Sequence, residues 1–266
     1  FDDVEQSLAA LVMLRDYSRF RANPPVVVTP LPVDKAAAAG LIAVARRGGQ
    51  RDIGPAAMSV LAAYGIPTAP LHLAASGDEA AAVAGQLGYP VALKAVAPAL
   101  SHKSDIGGVA LDLGDAAAVR RAYGELRAAV ATHLPQTDLA GVVVQRMVTG
   151  GHELILGAKH DPHFGPVVMC GLGGIFTEVL ADVAFRLAPL SHEEAEELIW
   201  ELKGAPILQG LRGQPPADVA ALATALQRLG QLIVDHDEIA EIDVNPIKVL
   251  PQGQGVIAVD ARIVLR

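Results

Sequence analysis

The chain has 266 residues, of which 29 are acidic and 21 basic, so its formal net charge is −8 with neutral histidines. A hydrophobic fraction of 52% excludes a disordered chain, and the acidic balance without a basic stripe argues against a nucleic-acid partner. No apolar run reaches the ~18 residues that a membrane span needs, so no membrane partner is expected. The single cysteine, Cys170, excludes an internal disulfide and favours a reducing, cytoplasmic compartment.

The first fifty residues have the pattern of a lead-in to a compact domain. Apolar residues at helical spacing predict an amphipathic helix over residues 1–20, which a proline pair follows. Asp34 predicts the N-cap of a second helix that ends near Arg47 at a glycine pair. We therefore expect the compact domain to begin near Asp52.

Beyond that point, strand-like and helix-like patterns alternate. Strands are predicted at 72–73, 91–96, 109–113, 142–147, 152–160, 167–170, 239–249 and 256–264, and helices at 55–64, 78–87, 115–132, 191–203 and 216–235. Three strand-like runs follow one another closely after residue 141, which indicates antiparallel pairing. The predicted fold class is α/β with α+β character.

Lys94 is the first candidate for chemistry, because it interrupts the apolar strand 91–96. A lysine is rarely buried without an anionic partner. Its position alone therefore favours an outward-facing lysine on a half-exposed strand over a buried one.

A polar loop after this strand is the second candidate. It reads Ser101-His102-Lys103-Ser104-Asp105-Ile106-Gly107-Gly108. The glycines allow a close approach of the backbone to a ligand, and the lysine, the serines and consecutive N–H groups suit an anion. His102 is the one side chain in the loop that can accept a phosphoryl group on nitrogen. A polar connection between two strands explains the segment equally well, and its spacing is not that of a Walker loop.

The third candidate is a C-terminal hairpin. Asp243 and Asn245 lie two apart and so share one face of a strand, as do Asp260 and Arg262 on the next. A turn near residue 252 pairs Asn245 with Asp260 and Asp243 with Arg262. An amide oxygen beside a carboxylate suits Mg²⁺, which proteins usually bind alongside phosphates, and an arginine fork suits phosphate. The alternative is a cross-strand salt bridge beside a turn-forming Asn-Pro.

The link after strand 142–147 is the fourth candidate. Gln145-Arg146-Met147-Val148 and a glycine pair lead into Glu153. The backbone groups of such a link can form hydrogen bonds with a nucleobase edge, and Glu153 can accept a hydrogen bond from a ribose hydroxyl group. The residues alone favour an ordinary exposed hairpin glutamate.

Taken in order, these segments resemble the ATP-grasp domain of NDP-forming acyl-CoA synthetases, in the succinyl-CoA-ligase-like superfamily. The resemblance runs from about Asp52 to Arg262 and rests on VALK at 91–94, SHKSDIGGV at 101–109, VQRM at 144–147, DPHFGP at 161–166, GLGG at 171–174, DVAFRLAPL at 182–190 and EIDVNP at 241–246. It is specific because the motifs recur in order with the expected spacing.

The resemblance implies an ATP-grasp fold, in which two α/β subdomains grip a nucleotide between them. Residues 51–140 would form the small subdomain, and residues 141–266 the large subdomain with the metal-binding hairpin. Residues 1–50 would be the tail of a preceding CoA-ligase-like domain plus a linker.

The resemblance also implies a role for each candidate residue. Lys94 would bind nucleotide phosphate and, with Arg262, offset developing charge, while His102 would relay a phosphoryl group between the nucleotide and a distant CoA-ligase site. Asn245 and Asp260 would hold Mg²⁺. Glu153 would bind the ribose, and the adenine hinge would consist of Gln145, Met147 and Val148. The loop over the phosphates would consist of Ser101, Lys103, Ser104, Gly107 and Gly108. Many relatives carry glutamate where Arg146 stands, which argues against a side-chain role there but not against backbone contacts to adenine.

The resulting hypothesis is the nucleotide-binding part of an acyl-CoA synthetase that uses ATP/ADP and Mg²⁺ in acid + CoA + ATP ⇌ acyl-CoA + ADP + phosphate. The expected partner is a CoA-ligase-like domain or subunit that carries the CoA and acyl sites, so the piece alone is expected to be inactive. One alternative is a regulatory or scaffold ATP-grasp region of a fused protein lysine acetyltransferase. The other is a non-catalytic interaction module. The intact Lys94, His102, Asn245 and Asp260 favour catalysis.

Overall fold

The computed structural model describes residues 3–22, 28–97, 106–134, 139–174, 182–210 and 213–266. The strands are β1 Leu71–Ala74, β2 Val91–Val96, β3 Val109–Leu113, β4 Gly141–Arg146, β5 His152–Asp161, β6 Gly165–Leu172, β7 Val183–Leu187, β8 Ile239–Val249, β9 Val256–Ala258 and β10 Ala261–Leu265. The helices are α1 Val4–Ala22, α2 Lys35–Arg47, α3 Ala56–Ala63, α4 Gly77–Leu87, α5 Ala116–His133, α6 His192–Trp200 and α7 Val219–Asp235, with a 3₁₀ helix at Ala205–Gln209.

The strands form two antiparallel sheets. The small sheet has the order β1-β4-β2-β3, and the large sheet has the order β10-β8-β5-β6-β7 with β9 also paired to β8. Both sheets carry helices, so the predicted α/β class with α+β character is confirmed.

Helices α4 and α5 pack on one face of the small sheet. Each begins at a side-chain cap, because Ser76 accepts a hydrogen bond from the Glu79 N–H and Asp115 accepts one from the Ala118 N–H. Their buried positions are mostly small or branched, which lets the helices lie close to the strands. The core between them is formed by Ala80, Ala84, Val91, Leu93, Val119, Leu126, Val142 and Val144.

Helices α6 and α7 cover one face of the large sheet. A capping box begins α6, since Ser191 and Glu194 each accept a hydrogen bond from the backbone N–H of the other. Asp218 caps α7 through Oδ1 and accepts the Gly253 and Gly255 N–H groups with Oδ2, both at 2.9 Å. This carboxylate thereby ties the helix to the turn of the C-terminal hairpin.

Sheet membership divides the chain differently from the predicted boundaries at residues 50 and 140. Ala38, Ile42 and Ala45 of α2 are buried in the core of the large sheet, so this helix is not a detached lead-in. Strand β4 lies in the small sheet, although it falls in the segment assigned to the large subdomain. Local patterns predict each element, but the sheet that an element joins depends on residues distant in the chain.

Helix α1 forms as predicted, but it buries no apolar face. Val4, Leu8, Leu11 and Met13 are between 57% and 73% exposed. The spacing of apolar residues therefore predicted that the segment is helical, but it did not predict how the helix packs. Among the described residues, no helix combines the length and apolar character needed to cross a membrane.

Two strands differ from prediction. The strand predicted at 256–264 is split into β9 and β10, because Val259 and Asp260 lie between two separate ladders. Strand β7 was not predicted, although its sequence belongs to the motif at 182–190. It is an edge strand whose larger apolar side chains, Val183, Phe185 and Leu187, are the exposed ones, so its apolar pattern does not mark a buried face.

Candidate active site

Lys94 connects the two sheets. Its side chain is buried, at 7% exposure for the residue, and its Nζ donates to the Val259 carbonyl oxygen at 3.0 Å. The same nitrogen lies 3.2 Å from Asp260 Oδ2. The expectation of an outward-facing lysine is therefore wrong, because the hairpin of the large sheet supplies the anion that makes burial possible.

The hairpin has the predicted register. Asp243 pairs with Arg262 across β8 and β10, and the Asn245 N–H donates to the Asp260 carbonyl oxygen at 3.1 Å. On β8, Ile242 and Val244 are buried while Asp243 and Asn245 are not. The polar side chains therefore lie on the face of the large sheet opposite to its helices.

We call this second face, at β5, β8 and β10, the site face. Cross-strand partners share a face, and a register shift between Val244 and Ile247 brings Lys248 to the same side as Asp243. The face is therefore defined by Glu153, Asp243, Asn245, Lys248 and Arg262. Asp260 lies beside it, in contact with Lys94 of the small sheet. Residues from both sheets thus meet at one place.

Arg262 is anchored by a residue that sequence reasoning took only as a domain boundary. Its Nε donates to Asp52 Oδ2 at 2.7 Å. The two residues are 210 positions apart, and nothing in the local pattern of either one indicates the other.

Glu153 lies at the start of β5, between a lysine and a glycine turn. Its Oε1 is 2.9 Å from Lys248 Nζ, and the two residues are cross-strand partners. A Cβ at Gly173 would lie 2.7 Å from the Glu153 carbonyl oxygen, so only glycine allows this approach. Lys248 is a second site residue that sequence reasoning missed.

The predicted adenine hinge lies at the end of β4. Gln145 is 2% exposed, and its Nε2 donates to the Ala69 carbonyl oxygen at 3.3 Å. Its Oε1 has no hydrogen-bond partner among the described residues. The Met147 N–H donates to the Pro90 carbonyl oxygen at 3.0 Å, Val148 is half-buried, and the Arg146 side chain is exposed. The Met147 N–H is therefore already used within the chain.

Only the end of the polar loop belongs to the described part of the chain. The Gly108 carbonyl oxygen accepts the Ala95 N–H at 2.8 Å, which joins the loop to β2. Gly107 has φ +69°, in the left-handed region that favours glycine. Ser101, His102, Lys103 and Ser104 lie outside the described residues.

Two motif residues have structural roles. Buried Asp182 accepts the Lys203 and Gly204 N–H groups, each at 2.8 Å, and so fixes the turn after α6. Cys170 is buried in the large core, and burial raises the pKa of its thiol to about 12. A thiol with that pKa is not a nucleophile at neutral pH.

The donor set fits a magnesium ion that also binds phosphates. In the described ranges, no group of three or more histidine, cysteine, aspartate or glutamate side chains could hold a metal. Asp260 and Asn245 offer one carboxylate and one amide oxygen, and Mg²⁺ commonly takes one or two protein ligands together with substrate phosphates. With two sheets joined by the bridging lysine, these residues are typical of proteins that hold a nucleotide between two α/β lobes.

Comparison with known proteins identifies the family. The ATP-grasp domain family matches residues 43–265. ADP-forming acetate–CoA ligase I of Archaeoglobus fulgidus is 43% identical over 266 residues, which are 100% of this chain and 38% of that protein. The beta subunit of ADP-forming acetate–CoA ligase I of Pyrococcus furiosus is 44% identical over 211 residues, 79% of this chain and 90% of the subunit. The chain belongs to the ATP-grasp family and corresponds to the ATP-grasp part of ADP-forming acyl-CoA ligases.

A solved structure agrees with this assignment. The dinucleotide-forming acetyl-coenzyme A synthetase 1 of Ca. Korarchaeum cryptofilum, in complex with coenzyme A, Ca-AMPCP and HgCl⁺, superposes with a TM-score of 0.82. It is 42% identical, and the match covers 86% of this chain and 100% of that chain. The predicted ATP-grasp fold and the family resemblance are thereby confirmed. The chain spans only 38% of the Archaeoglobus protein.

Proposed function

We propose that this chain binds Mg-ATP between its two sheets and exchanges a phosphoryl group between ATP and His102, as one half of an ADP-forming acyl-CoA ligase. The observation that carries the proposal is the meeting of Lys94 and Asp260, whose Nζ and Oδ2 are 3.2 Å apart, although Lys94 lies in the small sheet and Asp260 lies between two strands of the large sheet. A buried ammonium beside a carboxylate suits a site whose ligand carries both phosphate and metal.

Four side chains of the chain act on the phosphates. Asn245 and Asp260 hold Mg²⁺, which when bound neutralises phosphate charge. Lys94 is paired with Asp260 in this structure, so its ammonium group stays charged although it is buried. A phosphate that enters the site can bind to this charge. Arg262 keeps four N–H donors beyond the one given to Asp52, and these can bind phosphate oxygens.

The remaining candidates bind the nucleoside and enclose the phosphates. Glu153, which is paired with Lys248, accepts hydrogen bonds from the ribose hydroxyl groups through its carboxylate. Gln145, Met147 and Val148 line the adenine hinge. The loop over the phosphates consists of Ser101, Lys103, Ser104, Gly107 and Gly108.

The proposed phosphoryl acceptor is His102, whose position matches the family motif. A second structure of the Korarchaeum synthetase, 40% identical, was solved with Mg-AMPPCP and a phosphohistidine segment that points towards the nucleotide binding site. Phosphoryl transfer needs mainly positioning and charge neutralisation from the protein, and the site face together with Lys94 offers both.

The partner of this half is a CoA-ligase-like domain or subunit that carries the CoA and acyl sites. The support is that the Pyrococcus relative is a beta subunit, while the Archaeoglobus relative is a longer protein. We expect the isolated chain to bind nucleotide and not to make acyl-CoA.

Binding is tested by isothermal titration of Mg-ATP into the 266-residue chain and its Lys94→Met variant. Removing the buried ammonium is expected to weaken binding at least about tenfold, because a charged hydrogen-bond partner of the phosphates is lost. Lys35→Met is the matched control, since Lys35 forms a 2.9 Å ion pair with Asp235 away from the site face. Equal affinity in all three proteins would contradict the site.

Phosphoryl transfer is tested by incubation with labelled ATP. We expect acid-labile label that disappears in His102→Asn and persists in His133→Asn, a histidine on the exposed side of α5. Nucleotide binding without label, even with the complementary domain added, would favour the scaffold role. Absence of both would favour the interaction module.

A further inference from the structure

Residues 51–53 extend the large sheet beyond β10. Backbone hydrogen bonds of 3.1 Å and 2.7 Å, on either side of Asp52, join this segment to β10. They place Asp52 opposite Val264 in an antiparallel bridge. Val264 and Arg262 are two apart on one strand, so Asp52 lies diagonally across from Arg262 on the site face.

The carboxylate of Asp52 is held at both oxygens. Oδ1 accepts the Gly54 N–H at 2.9 Å, and Oδ2 accepts the Arg262 Nε–H at 2.7 Å. Gly54 has φ +56°, a backbone conformation that favours glycine, so the turn that holds Oδ1 depends on this residue. The carboxylate is therefore a fixed anchor, and Arg262 is the side chain that adjusts to it.

Fixing Nε restricts the whole guanidinium group, because its donors form one rigid plane. Arg262 is about one third exposed, at 35% for its side chain, so a free arginine here would sample several orientations. One bond to a fixed carboxylate removes most of that freedom before a ligand arrives.

We propose that Asp52 is a positioning residue, which pins Arg262 so that the other guanidinium N–H groups face the phosphates of the bound nucleotide. The inference rests on the proposed function, in which Arg262 binds phosphate. It assigns a part of the nucleotide site to a segment that precedes the small sheet in the chain.

The test compares Mg-ATP affinity in four proteins, namely wild type, Asp52→Asn, Arg262→Gln and the double variant. Asparagine keeps an oxygen for the Gly54 N–H but loses the charge that pins Arg262. We expect Asp52→Asn to weaken binding about tenfold, the effect of losing one charged hydrogen bond. Because Asp52 acts through Arg262, Asp52→Asn is expected to have no further effect in the Arg262→Gln background.

A spectroscopic readout separates positioning from general destabilisation. The Nε–H signal of Arg262, identified by its loss in Arg262→Gln, is expected to be protected from solvent exchange in wild type and to lose protection in Asp52→Asn. Asp78→Asn is the control, because Asp78 Oδ1 accepts Arg120 Nε–H at 2.6 Å in a similar pair on α4 and α5. It should change neither the affinity nor this signal.

The outcomes distinguish the two proposals. A wild-type chain that does not bind Mg-ATP overturns the proposed function and this inference with it. Normal binding in wild type with no loss in Asp52→Asn, or with additive losses in the double variant, overturns this inference alone. Should Asp52→Asn fail to fold, Arg262→Lys replaces it, because lysine keeps the positive charge but lacks the Nε–H. The Arg262→Lys protein is expected to bind Mg-ATP as weakly as Asp52→Asn would. Wild-type affinity in Arg262→Lys overturns the inference.

Discussion

The two faces of the large sheet have different compositions and different tasks. On β8, Ile242, Val244 and Ile247 are fully buried against the helices. Between them, Asp243 and Asn245 lie on the site face, where Arg262 and Glu153 join them from neighbouring strands. The side chains of β8 alternate between the two faces, with one register shift between Val244 and Ile247. One strand therefore supports the core with one set of side chains and the proposed nucleotide site with the other.

We call the face that packs against the helices the core face, and we expect substitutions on the two faces to have different effects. Substitutions on the core face should alter the free energy of unfolding and leave the affinity of the folded protein for nucleotide intact. Changes on the site face should do the reverse, because the side chains that define it are at least partly exposed.

The largest effect is expected for Ile242→Ala on the core face. Removing this buried side chain should lower the free energy of unfolding by about 2–5 kcal/mol, through lost apolar burial and the cavity left behind. Urea denaturation measures the loss, and titration with Mg-ATP under folding conditions should show unchanged affinity. A nucleotide affinity reduced in proportion to the stability would mean that the two faces are not separate.

The next effect is expected for Asp260→Ala beside the site face. Loss of the carboxylate should weaken metal-dependent nucleotide binding by ~1–3 kcal/mol, the usual contribution of a charged partner. Titration with and without Mg²⁺ measures it, and the difference between the two conditions should vanish in the variant. Unchanged affinity in Mg²⁺ would exclude Asp260 as a metal ligand.

A smaller effect is expected for the dependence of stability on pH. His236 is buried beside Tyr64, and burial lowers its pKa from the ordinary value of 6.5. The unfolded chain then binds a proton more readily than the folded one, so this contribution to stability is complete above pH 6.5 and is lost as the pH falls below it.

We expect a decline of about 1 kcal/mol in the free energy of unfolding for each pH unit below that value, until the lowered pKa is reached. His236→Phe keeps the ring against Tyr64 and should remove the decline. Burial opposes ionisation of Asp235, but its hydrogen bonds with Lys35 and Tyr64 outweigh burial and lower its pKa. A carboxyl group titrates at lower pH than a histidine. Stability curves at pH 5 to 7 that are equally steep in both proteins would contradict the assignment to His236.

The smallest effect on stability is expected for Lys248→Met. Its ion pair with Glu153 is partly exposed, so its loss should change the free energy of unfolding by no more than about 1 kcal/mol. Affinity for Mg-ATP should fall while thermal stability stays within a few degrees of wild type. A variant that loses stability and keeps affinity would assign Lys248 to the framework and not to the site.

Much of the fold follows from local patterns. The bounds of β2, β3 and β8, the cap of α2, and the register of the C-terminal hairpin agree with the sequence predictions. These features depend on side-chain alternation, on a capping side chain a few residues from its acceptor, and on the position of one turn. Their interactions are local in the chain or are fixed by one loop length, so the sequence contains enough information to locate them.

The partners of the site residues could not be predicted in this way. Lys94 is buried beside the Asp260 carboxylate and donates to a carbonyl oxygen 165 residues later, and Arg262 is anchored by a carboxylate 210 residues earlier. Sequence therefore determined which residue types and strand faces were available for nucleotide chemistry. Only the tertiary structure decided which charges meet, because the energy of a charge depends on its burial and on neighbours brought close by the packing of two sheets.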